Sequence, residues 1–222
     1  MEDERDYGAR FQSYFQEKVL EVHRIPHLGN NLLFKITLDS ATRLAKVYSS
    51  VHINNWNRGE CEFNSLKNLH EAGFNEIPEP IAFIRDQNIG IYSYEEGSLL
   101  PIAEVNKAHV IAASDFLVKL HSLPEEVKVK FNPASTNGLS LKNYTEDIQS
   151  RIAHLTKNCP RERCPSNIEQ LLYGQVIPLS EKIIRDFMVH LSPSKISREF
   201  SLEQQALCFG DFGFHNILVS SS

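Results

Sequence analysis

Strand-like and helical hydrophobic patterns lie in different halves of this 222-residue chain, and that separation constrains its fold more than any other feature. Five apolar runs with strand character precede Gly97, with one helical pattern before them and another among them. From Val105 onward the apolar spacing is helical. Strands and helices segregated in this way are typical of an α+β fold. We therefore predict a strand-rich lobe over residues 1–97 and a helical lobe over residues 98–222.

The individual elements follow from the spacing of apolar residues and from the turn formers between them. A first helix is predicted from one shared helical face, formed by Phe11, Tyr14, Phe15 and Val19. Strands are predicted over residues 19–25, 32–38 and 43–49 and within the segments 77–86 and 89–97. Helices are predicted over residues 59–73, 105–123 and 141–155 and within 167–191. The apolar residues 217–219 predict a short last strand.

The charge balance disfavours several functional classes. The formal net charge is -5, the sequence pI is about 6.0, and no run of lysine or arginine interrupts this balance, which disfavours nucleic-acid binding. The N-terminal segment MEDERDYGARF is too charged for a secretory signal. No apolar run approaches the roughly 18 residues of a membrane span. We therefore expect a cytoplasmic protein that binds neither nucleic acid nor a membrane.

The four cysteines are expected to be reduced thiols. Cys159 and Cys164 lie in CPRERC, a spacing that also suits part of a metal site. However, no second cysteine pair or paired histidine follows at zinc spacing. Scattered cysteines in a chain without a signal peptide are typical of a reducing compartment.

Lys46 and Glu62 are candidates for binding a nucleotide. Lys46 lies in the predicted strand RLAKVYS, and Glu62 follows it on the next predicted helix. A lysine at such a position could bind the α and β phosphates, and a glutamate could pair with it and hold it in place. Taken separately, each residue is better explained as an ordinary exposed strand or helix charge. Glu60 is the rival partner of the lysine, although residues 60 and 62 face different sides of a helix.

A polar loop over residues 27–31 joins the first two predicted strands. Gly29 within it lacks a Cβ atom, so that the backbone there can come close to a phosphate. A plain hairpin turn explains the same glycine.

The segment FGDFGFHNILV contains two kinase-like patterns that share Asp211. If Asp211-Phe212-Gly213 were the metal-binding triplet of protein kinases, a D-x-x-x-x-N pattern should precede it, and none does. If Asp211 is instead the catalytic-loop aspartate, Asn216 stands where a metal ligand belongs. Asp211 would then orient a substrate hydroxyl and accept its proton, and Asn216 would bind magnesium. An Asp/Gly turn before a strand is the alternative interpretation.

These motifs together resemble the aminoglycoside phosphotransferase and choline kinase-like family, small-molecule kinases with a protein-kinase-like bilobal fold. The resemblance covers residues from about 25 to 222 and rests on the segments GNNLLFKI, LAKVY, ECEFNSLKNL, IPEPIAF, IYSYEEG, FLVKLHSLP and FGDFGFHNILV. It implies ATP and Mg²⁺ as cofactors and a small-molecule hydroxyl as the acceptor. The implied nucleotide-binding residues are Gly29, Asn31, Lys46 and Glu62, together with the adenine hinge Ser93, Tyr94 and Glu95. The implied catalytic residue is Asp211, and the implied metal ligand is Asn216.

The chain also departs from the family pattern. Phe209 and Gly213 stand where the family loop has histidines, and we expect Phe209 to support the loop by packing. The family has a second metal-binding aspartate on a strand after this loop, whereas the sequence stops six residues after Asn216. We therefore expect an incomplete helical lobe, weak binding of the nucleotide and little turnover. A catalytically dead pseudokinase that binds a nucleotide or a partner is the alternative, and a protein kinase ranks below both.

Overall fold

A computed structural model describes residues 4–26, 31–49, 57–132, 138–210 and 212–220 of the chain. They form two compact units, one comprising Met1–Asn132 with Leu207–Ser222 and the other Pro133–Ala206. We call them unit 1 and unit 2. The lobe boundary near residue 97 stays a prediction.

Unit 1 contains a five-stranded antiparallel sheet with the strand order β1-β2-β3-β5-β4. Its strands are β1 (Val19–Ile25), β2 (Leu32–Leu38), β3 (Thr42–Val47), β4 (Pro80–Ile84) and β5 (Ile89–Ser93). The first two have the predicted bounds, and β4 and β5 lie inside the predicted segments. Strand β3 begins one residue before the predicted start at 43 and ends two residues before the predicted end at 49. Strand β5, between β3 and β4, is buried over Ile89–Tyr92 because both faces of the sheet are covered there.

Helix α1 (Glu4–Tyr14) covers one face of this sheet. Its buried side chains Tyr7 and Phe11 pack against Phe34 of β2. In the sequence, the end of the predicted helical face at Val19 coincides with the start of the predicted strand, and the structure assigns Val19 to the strand. The Gln12 side chain accepts a hydrogen bond from the Val19 amide at 2.9 Å, which fixes the turn and lets Val19 begin β1.

Helix α2 (Arg58–Glu71) lies between β3 and β4 in the chain, and its aromatic residue Phe63 packs on Phe83 of β4 and Tyr92 of β5. The helix was predicted over residues 59–73. It ends at Glu71 because Gly73 takes a left-handed backbone conformation, with φ of 87°, which glycine adopts without a steric penalty.

A second core joins α2 to helix α3 (Lys107–His121). Leu69 and Phe74 pack in it with Leu120, while the Lys119 ammonium donates to the Gly73 carbonyl at 2.9 Å. The short helix α4 (Glu125–Lys128) follows Pro124. A two-stranded antiparallel ladder then pairs β6 (Ser98–Leu99) with β7 (Leu218–Val219). Strand β7 was predicted, and β6 was not.

Unit 2 is helical. It contains α5 (Leu141–Asn158), α6 (Ser166–Leu171), α7 (Ile177–His190) and α8 (Pro193–Ser197). A π-helical segment, Leu172–Val176, connects α6 to α7 within the single helical region predicted over residues 167–191. The sequence analysis did not predict α8.

The expectation of four reduced thiols was wrong for one pair in unit 2. Cys159 and Cys164 form a disulfide, with their Cα atoms 5.3 Å apart. A short 3₁₀ turn over Arg161–Arg163 brings the two cysteines together after the end of α5. Cys61 and Cys208 are not disulfide-bonded.

Candidate functional site

An ion pair between Lys46 and Glu62 forms the centre of the candidate site. Lys46 lies on β3 and Glu62 on α2, and the Lys46 Nζ to Glu62 Oε1 distance is 2.7 Å. The side chains are only 22% and 33% exposed, respectively. A partly buried pair is screened less by salt than a surface pair. The structure therefore joins the strand lysine to the helix glutamate, and their role in nucleotide binding stays a prediction.

The other candidate partner, Glu60, has a different role. Its carboxylate forms a short hydrogen-bonded ion pair with the guanidinium of Arg85, just after β4. A cavity of about 290 Å³ lies beside this pair and is lined by residues that include Phe63, Lys67 and Phe83. Residues 60, 63 and 67 share one face of a helix, and residue 62 lies on the opposite face. Glu60 therefore holds one face of α2 to Arg85, while the opposite face of the helix places Glu62 beside Lys46.

Gly59 allows α2 to approach β3 closely. A Cβ atom at this position would lie 2.6 Å from Cδ2 of Tyr48 and 2.9 Å from Oδ1 of Asn88. Asn57 caps the helix, since its side chain accepts a hydrogen bond from the Glu60 amide at 3.0 Å. Together the cap and the glycine set the start of α2, and this determines where Glu62 lies.

Two buried tyrosines lie beside the ion pair. The hydroxyl oxygens of Tyr48 and Tyr92 are 2.7 Å apart, and the residues are only 4% and 2% exposed. Burial, and next the negative charge of Glu62, raise the pKa of the Tyr48 phenol far above its usual range. Burial also raises the pKa of Tyr92, against the opposing effect of its hydrogen bond with Tyr48. We call these residues the tyrosine pair. The sequence analysis missed it, although Tyr48 lies two residues after Lys46 and so on the same face of its strand.

The predicted hinge begins at Ser93, the last residue of β5. The Ser93 amide donates to the Glu79 carbonyl at 2.9 Å, and the Ser93 hydroxyl donates to the Glu95 carboxylate at 2.5 Å. The Tyr94 ring lies under the Lys35 ammonium, 4.5 Å from its centroid. The Ser93 amide therefore already has a partner, and the adenine-binding role of Ser93, Tyr94 and Glu95 stays a prediction.

The predicted phosphate loop lies only in part within the described residues. Gly29 falls outside them. Asn31 is partly buried and stands immediately before β2. Strand pairing aligns Leu33 with Lys46 and Leu32 with Val47. Asn31 therefore lies at the same end of the sheet as the lysine, and its role in phosphate binding stays a prediction.

The predicted catalytic aspartate, Asp211, also lies outside the described residues, but its neighbours are fixed. Phe212 stacks on Phe116 of α3 with the ring centroids 5.8 Å apart, and Phe209 meets Phe116 edge-on at 6.0 Å. Phe209 therefore packs on α3 through one side of its ring although the residue is 41% exposed, and its role in support of the loop stays a prediction. Both aromatic neighbours of Asp211 anchor the loop to α3.

Asn216 ends a 3₁₀ turn, Phe214–Asn216, in which its amide donates to the Gly213 carbonyl at 2.9 Å. The β6–β7 ladder begins two residues later, and a Cβ atom at Gly97 would lie 3.0 Å from the Val219 carbonyl oxygen. The ladder thus joins the segment after the hinge to the segment after Asn216. In the part of the chain that the structure describes, no group of three His, Cys, Asp or Glu residues could hold a metal ion. The metal-binding role of Asn216 stays a prediction.

No family model matches the chain. No curated protein matches it either. The chain does match solved structures. The chain is similar to spectinomycin phosphotransferase APH(9)-Ia in complex with ADP and spectinomycin, with a TM-score of 0.58 and 13% identity over 99% of this chain and 66% of that one. It is also similar to a protein assigned as an aminoglycoside phosphotransferase from Ralstonia eutropha JMP134, with a TM-score of 0.54 and 13% identity over 98% of this chain and 60% of that one.

The chain has a protein-kinase-like fold. The expected α+β class and the likeness to phosphotransferases of this type are confirmed at the level of the fold. The chain spans less than two thirds of the length of either solved relative. None of the helices in the described ranges is long and apolar enough to cross a membrane.

Proposed function

We propose that this chain provides the nucleotide site of an ATP-dependent phosphotransferase that transfers the γ-phosphoryl group to a hydroxyl of a small molecule. The observation that carries the proposal is the Lys46–Glu62 ion pair, 2.7 Å long and partly buried, on a protein-kinase-like fold. An ion pair with a purely structural role contributes little to stability, because the free-energy cost of partly removing two charges from water offsets much of their mutual attraction.

Lys46 would bind the phosphates. An ammonium group has three N–H donors, and Glu62 accepts one of them from Lys46. The other two N–H groups would donate to phosphate oxygens, which is the role of a strand lysine in phosphoryl transfer. Glu62 fixes the direction of the ammonium, so less orientational freedom is lost when the nucleotide binds.

The remaining roles follow the predicted motifs. The backbone near Gly29 and Asn31 would cover the phosphates, and the hinge at Tyr94 and Glu95 would meet adenine. Asp211 would orient the acceptor hydroxyl and accept its proton.

The side-chain oxygen of Asn216 suits Mg²⁺, because this ion prefers hard oxygen ligands, and the turn that carries it is held by the β6–β7 ladder. Mg²⁺ would neutralise charge on the phosphates.

The acceptor class is supported by a solved relative. The spectinomycin phosphotransferase holds ADP and spectinomycin, which supports a nucleotide and a small hydroxyl compound as the two ligands of this chain. Use of ATP agrees with the cytoplasmic location expected from the sequence.

The test is MgATP binding by isothermal titration calorimetry, with Lys46→Met as the decisive variant. We expect the variant to weaken binding by roughly tenfold or more, because it removes a charge-assisted hydrogen bond worth about 1.5–3 kcal/mol. Lys67→Met is the matched control, since Lys67 is an exposed lysine on α2 at the cavity behind the helix. Equal affinities for wild type and Lys46→Met, or equal losses in both variants, would contradict the proposal.

Turnover is measured separately, as phosphate transfer from labelled ATP to a panel of hydroxyl compounds that includes spectinomycin. Asp211→Asn is expected to abolish transfer while leaving the affinity for MgATP within about twofold, because a catalytic base contributes to the chemical step. Lys46-dependent binding without transfer to any acceptor would favour the pseudokinase alternative.

A further inference from the structure

The cavity beside the Glu60–Arg85 ion pair lies between α2 and β4 and has no part in the proposed function. Two contacts show how its walls run. The Glu60 carboxylate meets the Arg85 guanidinium, and Phe63 packs on Phe83 with the ring centroids 5.7 Å apart. Residue numbers therefore rise along the helix while they fall along the strand, so the two walls of the cavity are antiparallel.

Lys67 lies at the opposite end of the cavity from this ion pair. The His70 ring is hydrogen-bonded to the Ile77 carbonyl at 2.9 Å, so the antiparallel course of the two segments continues past Lys67. This course places Lys67 towards Pro80, which also lines the cavity. Between residues 60 and 67 a helix rises about 10 Å. The two charged ends of the cavity are therefore roughly that far apart.

The two ends differ in charge. At one end Glu60 already pairs with Arg85. At the other end Lys67 is exposed, and among the described residues no carboxylate forms an ion pair with it. The charged side chains that line the cavity are one lysine, one arginine and one glutamate, which sum to a net charge of +1. A ligand with a single negative charge, placed towards Lys67, complements this lining.

The middle of the cavity is aromatic. Phe63 and Phe83 are half-buried, and their ring planes are tilted by 41° to each other. Both rings line the cavity, and aromatic rings attract a further ring in tilted or offset contacts. A cavity of about 150 Å³ holds a benzene molecule. The volume of about 290 Å³ in this chain therefore suits one ring that carries a short acidic arm.

We propose that this cavity is a second ligand site, which binds a small aromatic carboxylate with its ring against Phe63 and Phe83 and its carboxylate on Lys67. A monoanion fits better than a phosphate dianion, because the lining has a net charge of +1 and Glu60 repels a second negative charge. The inference does not depend on the proposed function, since the cavity lies on the face of α2 opposite Glu62.

The first test is a ¹H–¹⁵N NMR titration of the whole chain with phenylacetate. We expect a Kd on the order of 1 mM, in keeping with a ligand of about ten non-hydrogen atoms. The largest shifts should fall on the backbone amides of residues 63–67 and 81–83, which line or adjoin the cavity.

Three matched probes separate the ring from the charge. Phenylacetamide keeps the ring and removes the charge, and it should bind about three- to fivefold more weakly, the range of a solvent-exposed ion pair. The cation 2-phenylethylammonium should bind more weakly still, because Lys67 repels it. Acetate keeps the charge without the ring, and it should give no saturable shifts at the cavity.

The second test is Lys67→Met. The variant is expected to weaken phenylacetate binding about three- to fivefold while leaving phenylacetamide within about twofold. A variant that had merely lost structure would weaken both probes alike. Lys182→Met, which removes an exposed lysine from α7 in unit 2, is the matched control and should change neither affinity.

Four results would overturn the proposal. They are no saturable binding of phenylacetate, equal affinities for phenylacetate and phenylacetamide, an unchanged phenylacetate affinity in Lys67→Met, and shifts centred outside α2 and β4. Tighter binding of 2-phenylethylammonium than of phenylacetate would also contradict it, because Glu60 and not Lys67 would then set the charge preference of the cavity.

Discussion

The buried tyrosine pair should make unit 1 unusually sensitive to alkali. An exposed phenol ionises near pH 10, whereas burial raises the pKa of both Tyr48 and Tyr92 in the folded chain. Unfolding exposes the two phenols and lets them lose their protons. Stability contributed by a group whose pKa is raised on folding is complete below the unfolded pKa and is lost as the pH rises above it. The loss should therefore begin near pH 10.

The magnitude follows from proton linkage. At pH 11 an unfolded phenol with a pKa of 10 is stabilised by about 1.4 kcal/mol through ionisation, while the folded phenol gains nothing until its own raised pKa is reached. The two tyrosines together should cost unit 1 about 2.8 kcal/mol between pH 9 and pH 11. This is a large part of the roughly 5–15 kcal/mol that stabilises a typical domain.

Tyr92→Phe isolates this effect. The variant keeps Tyr48, so its decline in unfolding free energy between pH 9 and pH 11 should be smaller than that of the wild type by about 1.4 kcal/mol. Urea titrations at the two pH values measure the difference. The comparison uses the change in unfolding free energy between the two pH values and not the absolute free energies, so the destabilisation caused by the substitution itself cancels. Tyr144→Phe serves as the control, since water still reaches that phenol in the folded chain.

A pH jump gives an independent reading. Phenols that water reaches ionise within the mixing time, and absorbance near 295 nm reports them at once. Tyr48 and Tyr92 should ionise only at the rate of unfolding of unit 1. Tyr92→Phe should therefore remove one tyrosine from the slow phase. Loss of amplitude from the fast phase, or an unchanged pH dependence of the urea midpoints, would refute the assignment of these residues as buried, protonated donors.

Two further predictions concern other parts of the chain. Gly59→Ala should destabilise unit 1 by about 1–3 kcal/mol, because the added methyl group would overpack against Tyr48. Gly8→Ala in α1 should stabilise it by roughly 0.5–1 kcal/mol, because nothing lies within 4 Å of the added Cβ. Thermal unfolding should therefore show shifts of opposite sign for the two variants. Reduction of the Cys159–Cys164 disulfide, or Cys164→Ser, should cost unit 2 about 2 kcal/mol or less, because the bond closes a short loop; a larger loss in denaturant titrations would contradict this.

Much of the sheet could be predicted from the sequence because each strand carries a local signal. The alternation that buries Phe34, Ile36 and Leu38 of β2 is visible in the letters LLFKITL. The end of α1 could not be fixed from the sequence because the apolar spacing continues past Tyr14, and the hydrogen bond that the Val19 amide donates to the Gln12 side chain decides where the strand begins. Strand β6 was missed because it consists of two residues whose partner lies far along the chain.

The candidate site was predictable in its components and not in its assembly. Residue types and chain order suggested Lys46 and Glu62, but their contact depends on Gly59 and on how closely α2 approaches the sheet. The tyrosine pair joins residues 44 positions apart in the sequence, and only the pairing of β3 with β5 brings them together. The disulfide was missed because the same cysteine spacing fits free thiols and a bond equally well.

The β6–β7 ladder has a consequence for synthesis of the protein. Ser98 and Leu99 find their partners about 120 residues later in the chain, and contacts of such long sequence separation form slowly because a long loop must close first. The five-stranded sheet can assemble as its residues leave the ribosome, but the segment that follows the hinge must wait until residue 219 has emerged. A nascent chain paused before that point should leave the backbone of residues 98 and 99 without its ladder partner and therefore open to proteases. Pairing of β7 with β6 would then complete unit 1 in a single late step.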